Sequence, residues 1–368
     1  MATNNYNPNI AIHPGATLKE LLESLDMTQI DLAERTGLTS KTINEIIQEK
    51  NPITPETALR FSAVFGMSPS FWNNLERNYQ ETFSRLERDK KLEKELPALK
   101  KFSCYRELTK WGYLPKTLDP KEKVLSLLNF FGVSSLEFIP RIQSVAFRKS
   151  AKEDLSKESL AAWLRCGEKE GAKIETIPFD KEKLVSSIES LRSLTNKGAT
   201  EIEKNLQKIC ADFGVAVVFV PYFPNTYVDG ATRWLTPEKA LIQVSLRGAH
   251  VDRFWFTFFH ELGHLLKHGK KVPFVEFENK SDEEIEIKEA EANEFANKTL
   301  IPESEFEQFI NSGRALSDEG IIRFARQINI SPAIVAGRIA HELDIRGSKN
   351  VWGRFSHLRT RLHFVSPK

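Results

Sequence analysis

Residues 260–264 read His-Glu-Leu-Gly-His, and no other run limits this chain as tightly. His260 and His264 are four apart, so on a helix their imidazoles lie one turn apart on one face, where both can hold one ion. The spacing therefore demands a helix, expected from about Asp252 to His268 with Gly269 as its stop. The apolar run Phe254-Trp255-Phe256-Thr257-Phe258-Phe259 directly before the motif would bury that helix and hold it rigid. Glu261 projects from the neighbouring edge of the face. It is placed to take a proton from water on a zinc ion, which lowers the pKa of that water toward about 7.

A third ligand has to come from elsewhere. The position six residues after His264, where an extended histidine pattern would supply it, is Lys270. The run Glu289-Ala-Glu-Ala-Asn-Glu-Phe-Ala296 lies in a second expected helix, about Glu284 to Leu300 and stopped by Pro302. Glu291 precedes small Ala292 and then Phe295-Ala296, which would let this helix pack closely and turn one carboxylate inward. Glu291 is the favoured third ligand, with Glu289 and Glu294 the alternatives. His268 is given a supporting or capping part. Histidine and carboxylate ligands suit zinc, and also accept manganese or iron.

The rest of the chain supplies the frame. Its 368 residues, 40% of them hydrophobic, suffice for two or three domains. The expected fold class is α+β, predominantly helical. A helical bundle at 1–84 leads through a charged helix and helical connector at 85–205 to a zinc-helix domain with a small sheet at 206–368. Val215–Pro221 and Ala240–Ser245 are the expected strands, and Ser317–Leu343 reads helical with a loop at Asn329–Pro332. The net charge of +2 neither demands nor excludes nucleic acid. Cys104, Cys166 and Cys210 are far apart and odd in number, which suits a reducing compartment. There is no apolar run of membrane-spanning length and no signal-peptide pattern at the start, so the expectation is a soluble, cytoplasmic protein without membrane partners.

In the first region Thr28 and Asp31 form a capping-box pattern, and Thr54-Pro55 and Ser68-Pro69 are cap-plus-proline starts. Small Ala33, Gly37 for a sharp turn, and Ile43 and Ile46 on a following helix give the punctuation of a helix-turn-helix. The second helix would show Ser40, Lys41, Asn44 and Glu45 to a major groove, with Gln29 and Thr39 completing the contact set. Asn44 suits an adenine edge, and Lys41 suits phosphate or guanine. Residues 1–85 hold more acidic than basic side chains, so binding to operator DNA would depend on a homodimer.

Two resemblances follow from these residues. His13-Pro-Gly15 through Tyr79, with Thr54–Arg60 and Ser70-Phe-Trp72, resembles the HigA-type antitoxin branch of the Cro-like (XRE) helix-turn-helix family. Phe258–His264 with Glu291–Ala296 and Leu300–Pro302 resembles the ImmA/IrrE metallopeptidase family. The second resemblance implies His260, His264 and Glu291 as zinc ligands, Glu261 as catalytic base, and cleavage of a transcriptional repressor in a stress or mobile-element setting. With a DNA-binding module on the same chain, the protein substrate becomes a repressor or the chain itself. The first resemblance implies dimers on operator DNA and a toxin partner. The competing expectation is a non-catalytic HigA-like repressor whose metal site is structural or sensory. Substrate is expected to lie extended beside the Leu241–Ser245 strand, with Arg233, His250, Tyr227 and Arg338 as candidates to stabilise the oxyanion.

Overall fold

The structure, a computed structural model, describes residues 8–139, 156–245, 250–268, 282–349 and 351–362. The chain divides into two compact units, Met1–Pro97 and Ala98–Lys368.

The first unit holds α1 (Pro14–Ser24), α2 (Gln29–Thr36), α3 (Ser40–Ile47), α4 (Pro55–Phe65) and most of α5 (Pro69–Leu99). Local chemistry starts each short helix. Thr28 and Asp31 form the expected capping box on α2, Thr39 caps α3, and Thr54 caps α4 ahead of Pro55. Gly37 ends α2 with φ 67°, the left-handed region that favours glycine. Arg60 of α4 donates to the carbonyls of Thr36 and Gly37 at 3.0 and 3.2 Å and so pins that turn. Leu18, Leu32, Ile43, Ile46, Phe61 and Trp72 form the core. Gly15 lets α1 cross α3 closely, since a Cβ there would fall 2.0 Å from the Ile46 carbonyl oxygen.

The second unit adds α6 (Tyr105–Lys110), α7 (Pro120–Phe131), α8 (Lys157–Lys173), α9 (Lys181–Ser193) and α10 (Ala199–Ala211) before its sheet. The sheet has β1 (Val215–Val220), β2 (Gly230–Thr236) and β3 (Lys239–Ser245) in the order β1-β3-β2. β3 pairs parallel to β1 (Val215 with Ala240) and antiparallel to β2 (Gly230 with Val244). β1 and β3 fall where the apolar runs place them; β2 was not anticipated. Because β3 is central, both its edges are occupied among the described residues, and the expectation that substrate pairs beside Leu241–Ser245 is corrected: the outer strands are β1 and β2, and β2 is the one whose Gly230 lines the same cleft as His260.

Strand alternation divides the packing. Val215, Val217, Phe219, Ile242 and Val244 join a core with α10 and with α11 (Val251–His268). The opposite face receives α8, where a Cβ on Gly167 would meet the Gln243 side chain at 1.8 Å. Of the helices expected as a connector, α8 packs directly on the sheet, and α9 and α10 share the core on its other face. Beyond α11 come α12 (Asp282–Leu300), α13 (Glu303–Asn311), α14 (Asp318–Gln327), α15 (Pro332–Ile345) and α16 (Val351–Arg354). The loop expected at Asn329–Pro332 separates α14 from α15, with Asn329 at φ 55°. α11 extends to His268, and its expected stop, Gly269, lies outside the described residues, as does Lys270.

Candidate functional site

α11 is buried along most of its length by Phe254, Trp255, Phe258, Phe259 and Leu262, which fixes the face that carries the histidines. α12 runs antiparallel to it: His268 meets Lys288, His264 meets Glu289, and His260 meets both Glu289 and Asn293. Gly263 permits the approach, because a Cβ there would lie 3.3 Å from the Ala292 Cα and 3.0 Å from the Phe295 ring.

Three ligand atoms converge on this seam. His260 Nε2 and His264 Nε2 are 3.0 Å apart, and the Glu289 carboxylate lies 3.3 Å from the first and 3.5 Å from the second. Their ligand atoms all fall within 4.8 Å of one another. His260 Nδ1–H donates to Asn293 Oδ1 at 2.8 Å. A neutral His260 then turns a bare Nε2 lone pair toward a second imidazole and a carboxylate. Lone pairs so placed repel one another unless a cation or proton lies between them. Two imidazoles and one carboxylate are the protein ligands of an open zinc site, so the donor set fits that ion.

The structure brings Glu289, not the favoured Glu291, to the histidines. Ala292 and Ala296 are buried on the face toward α11. At about 100° per residue, Glu289 falls about 40° from the middle of that face and Glu291 about 120° from it on the other side. The Glu291 carboxylate instead lies 3.5 Å from His268 Nδ1. His268 donates from Nε2 to the Lys288 carbonyl at 3.2 Å, and burial holds its imidazole below the usual pKa against the pull of Glu291. Glu294 pairs with Lys298 on the exposed side.

Glu261 is 3% exposed, and its Oε2 is buried without a hydrogen-bond partner. β2 holds it in place: Thr232 Oγ1 donates to the Glu261 carbonyl at 3.0 Å, and a Cβ on Gly230 would come 2.9 Å from Oε1. His260, Glu261, Glu289 and Asn293 line a cleft of about 830 Å³ that also takes in Tyr227, His250 and Arg338. Arg233, the fourth oxyanion candidate, points away from it. Its guanidinium donates to Glu168, to Gln243 and to the Leu164 carbonyl, and burial lowers its pKa to about 10 although Glu168 opposes the shift. Of the residues the sequence reading did not single out, Asn293 and Gly230 matter here. Asn293 carried a signal, a poor helix former one turn beyond a glutamate in mid-helix.

On the first unit, Ser40, Lys41 and Asn44 are exposed on α3. Thr39 Oγ1 is committed to capping, accepting from the Thr42 amide at 3.1 Å. Glu45 is turned back to Asn51, which donates to its carboxylate at 2.6 Å, and Gln29 is half-buried at the start of α2.

Residues 210–340 match the family model of the IrrE N-terminal-like domain, a peptidase family, and residues 18–72 match a helix-turn-helix model. The virulence-associated protein I of Dichelobacter nodosus is 37% identical over 70 residues, covering 19% of this chain and 65% of that protein. The Escherichia coli HTH-type transcriptional regulator YddM is 32% identical over 63 residues, covering 17% of this chain and 67% of that one. The chain belongs to the helix-turn-helix family and carries an IrrE N-terminal-like peptidase domain. A HigA-family addiction module antidote protein from Coxiella burnetii is 37% identical, with a TM-score of 0.22, over 23% of this chain and 94% of its own. All these relatives concern the helix-turn-helix unit. The chain spans about two thirds of the length of the first two (65% and 67%). His260, Glu261, His264 and Glu289 all lie inside the matched residues 210–340. No helix among the described residues is long and apolar enough to cross a membrane.

Proposed function

We propose that the chain is a cytoplasmic DNA-binding regulator whose peptidase domain is a zinc-dependent endopeptidase acting on a repressor-like protein or on the chain itself. The observation that carries this reading is the convergence of His260, His264 and Glu289 at a cleft that His260, Glu289 and Glu261, with its buried, unpartnered oxygen, line. His260, His264 and Glu289 would hold the ion. Zinc there supplies Lewis acidity to a scissile carbonyl and acidifies water. Glu261 takes the proton of the attacking water and passes it to the leaving amine. Its position supports this role, because its carboxylate is buried against Gly230 of β2 and lines the cleft beside His260. Substrate lies extended along the outer edge of β2, adding its own strand there. His250, Tyr227 and Arg338 remain as groups that can meet the developing oxyanion.

On the other unit, α3 enters the major groove of an operator with Ser40, Lys41 and Asn44 foremost, in a homodimer. A toxin partner would bind this same unit. The resemblance to HTH-type regulators supports the DNA reading.

The test is cleavage. Zinc-loaded wild type and Glu261→Gln are each incubated alone and with a host-cell extract, and new protein N-termini are mapped. Termini that appear with wild type and not with Glu261→Gln are expected. Identical maps would leave the non-catalytic repressor, with a structural or sensory metal, as the better account.

A further inference from the structure

We propose that Asn293 is the positioning residue that sets the tautomer and orientation of His260 and so makes its Nε2 available as a ligand atom. The inference rests on the reading of His260, His264 and Glu289 as a zinc site. Its grounds are geometric. The Asn293 Oδ1 sits 2.8 Å from His260 Nδ1, and the Glu289 carboxylate sits 3.3 Å from Nε2 of the same ring. Glu289 and Asn293 are four apart on α12, so two successive turns of one helix grip the two nitrogens of one imidazole. An amide oxygen accepts and cannot donate, so the proton is held on Nδ1 and the lone pair on Nε2. With the proton on the other nitrogen, Nε2 would carry a hydrogen into the cluster and could not bind a cation.

The second ground is the cost of having Asn293 there. It is exposed, so it adds nothing to the core, and asparagine is a poor former of helix interiors. Its carbonyl is spent on His260. The close approach of Gly263 to Ala292 sets the helix register that keeps this contact within reach. A histidine ligand whose second nitrogen is hydrogen-bonded loses about ten- to a hundred-fold in metal affinity when that partner is removed.

The experiment measures zinc affinity of the full chain by competition with a chromophoric chelator, for wild type, Asn293→Ala, Asn293→Gln and Asn293→Asp. Melting of each metal-free form is recorded, with the two-bond proton–nitrogen spectrum of its histidines. Asn293→Ala and Asn293→Gln should bind zinc about ten- to a hundred-fold more weakly. Asn293→Asp, which keeps an acceptor in place, should stay within about threefold of wild type or bind more tightly. In the metal-free spectra His260 should be the Nδ1–H tautomer in wild type and a mixture in Asn293→Ala. Wild-type affinity in Asn293→Ala would overturn the inference and leave the zinc site standing. Equal losses in all three variants with a lowered metal-free melting temperature would also overturn it, as plain packing. A wild type that binds no zinc would overturn the zinc reading, and this inference with it.

Discussion

Glu289 and Glu291 differ by two positions and face opposite sides of α12, and that difference separates a carboxylate beside His260 and His264 from a partner of His268. The motif His260–His264 was legible because its spacing works on one helix alone. The third ligand depends on how a second helix is rotated against the first, and the choice of Glu291 took its small neighbour as the guide. The neighbour, Ala292, is itself the contact with Gly263, so the inward carboxylate is three residues before it and not one. Glu261 carries a prediction of its own. Its buried Oε2 has no partner, an arrangement that costs about 1–3 kcal/mol. Glu261→Gln should therefore keep zinc, melt no lower than wild type when metal-free, and cut at least about a hundred-fold more slowly. Burial pushes the Cys104 thiol up to about 12 and raises those of Cys166 and Cys210 as well. None of the three should react with a thiol reagent until the chain is unfolded, which a colorimetric thiol count checks.

Among the elements, β1 and β3 declare themselves as apolar runs, and two helices of the first unit declare themselves by the caps Thr28 and Thr54, whereas Thr39, read as a DNA contact, turns out to be the cap of α3. β2 does not. It is half-buried at the sheet edge, and Gly-Ala-Thr-Arg-Trp-Leu-Thr carries no clean alternation. Yet β2 walls Glu261 and is the outer strand beside the cleft. The close approach of α1 to α3 at Gly15 was silent in the sequence, that of α12 to α11 was signalled by Ala292 and Ala296, and both are testable. Gly15→Ala places a Cβ against the Ile46 carbonyl, which has nowhere to move, so the first unit should lose stability by about 1–3 kcal/mol in chemical denaturation. Thr28→Ala, which removes only a cap, should cost about 1 kcal/mol. Gly263→Leu should push α12 off α11 and abolish zinc binding while leaving the first unit's melting unchanged.

The whole molecule joins two units with separate cores, and the division follows from composition: α5 is charged and polar for much of its length and buries little. What the sequence concealed is that α8 and α10 cover the sheet, because apolar helices announce burial without naming what buries them. Heating should give two transitions, with zinc raising only that of the second unit, by mass action on its folded state. The most direct test of the central claim is the zinc content of the purified chain, by mass spectrometry, in wild type, His260→Ala, Glu289→Ala and Glu291→Ala. The account predicts about one zinc per chain in wild type and in Glu291→Ala, with loss in His260→Ala and Glu289→Ala. Zinc kept by Glu289→Ala and lost from Glu291→Ala would contradict the ligand set, and a wild type that takes up no zinc would contradict the peptidase reading as a whole.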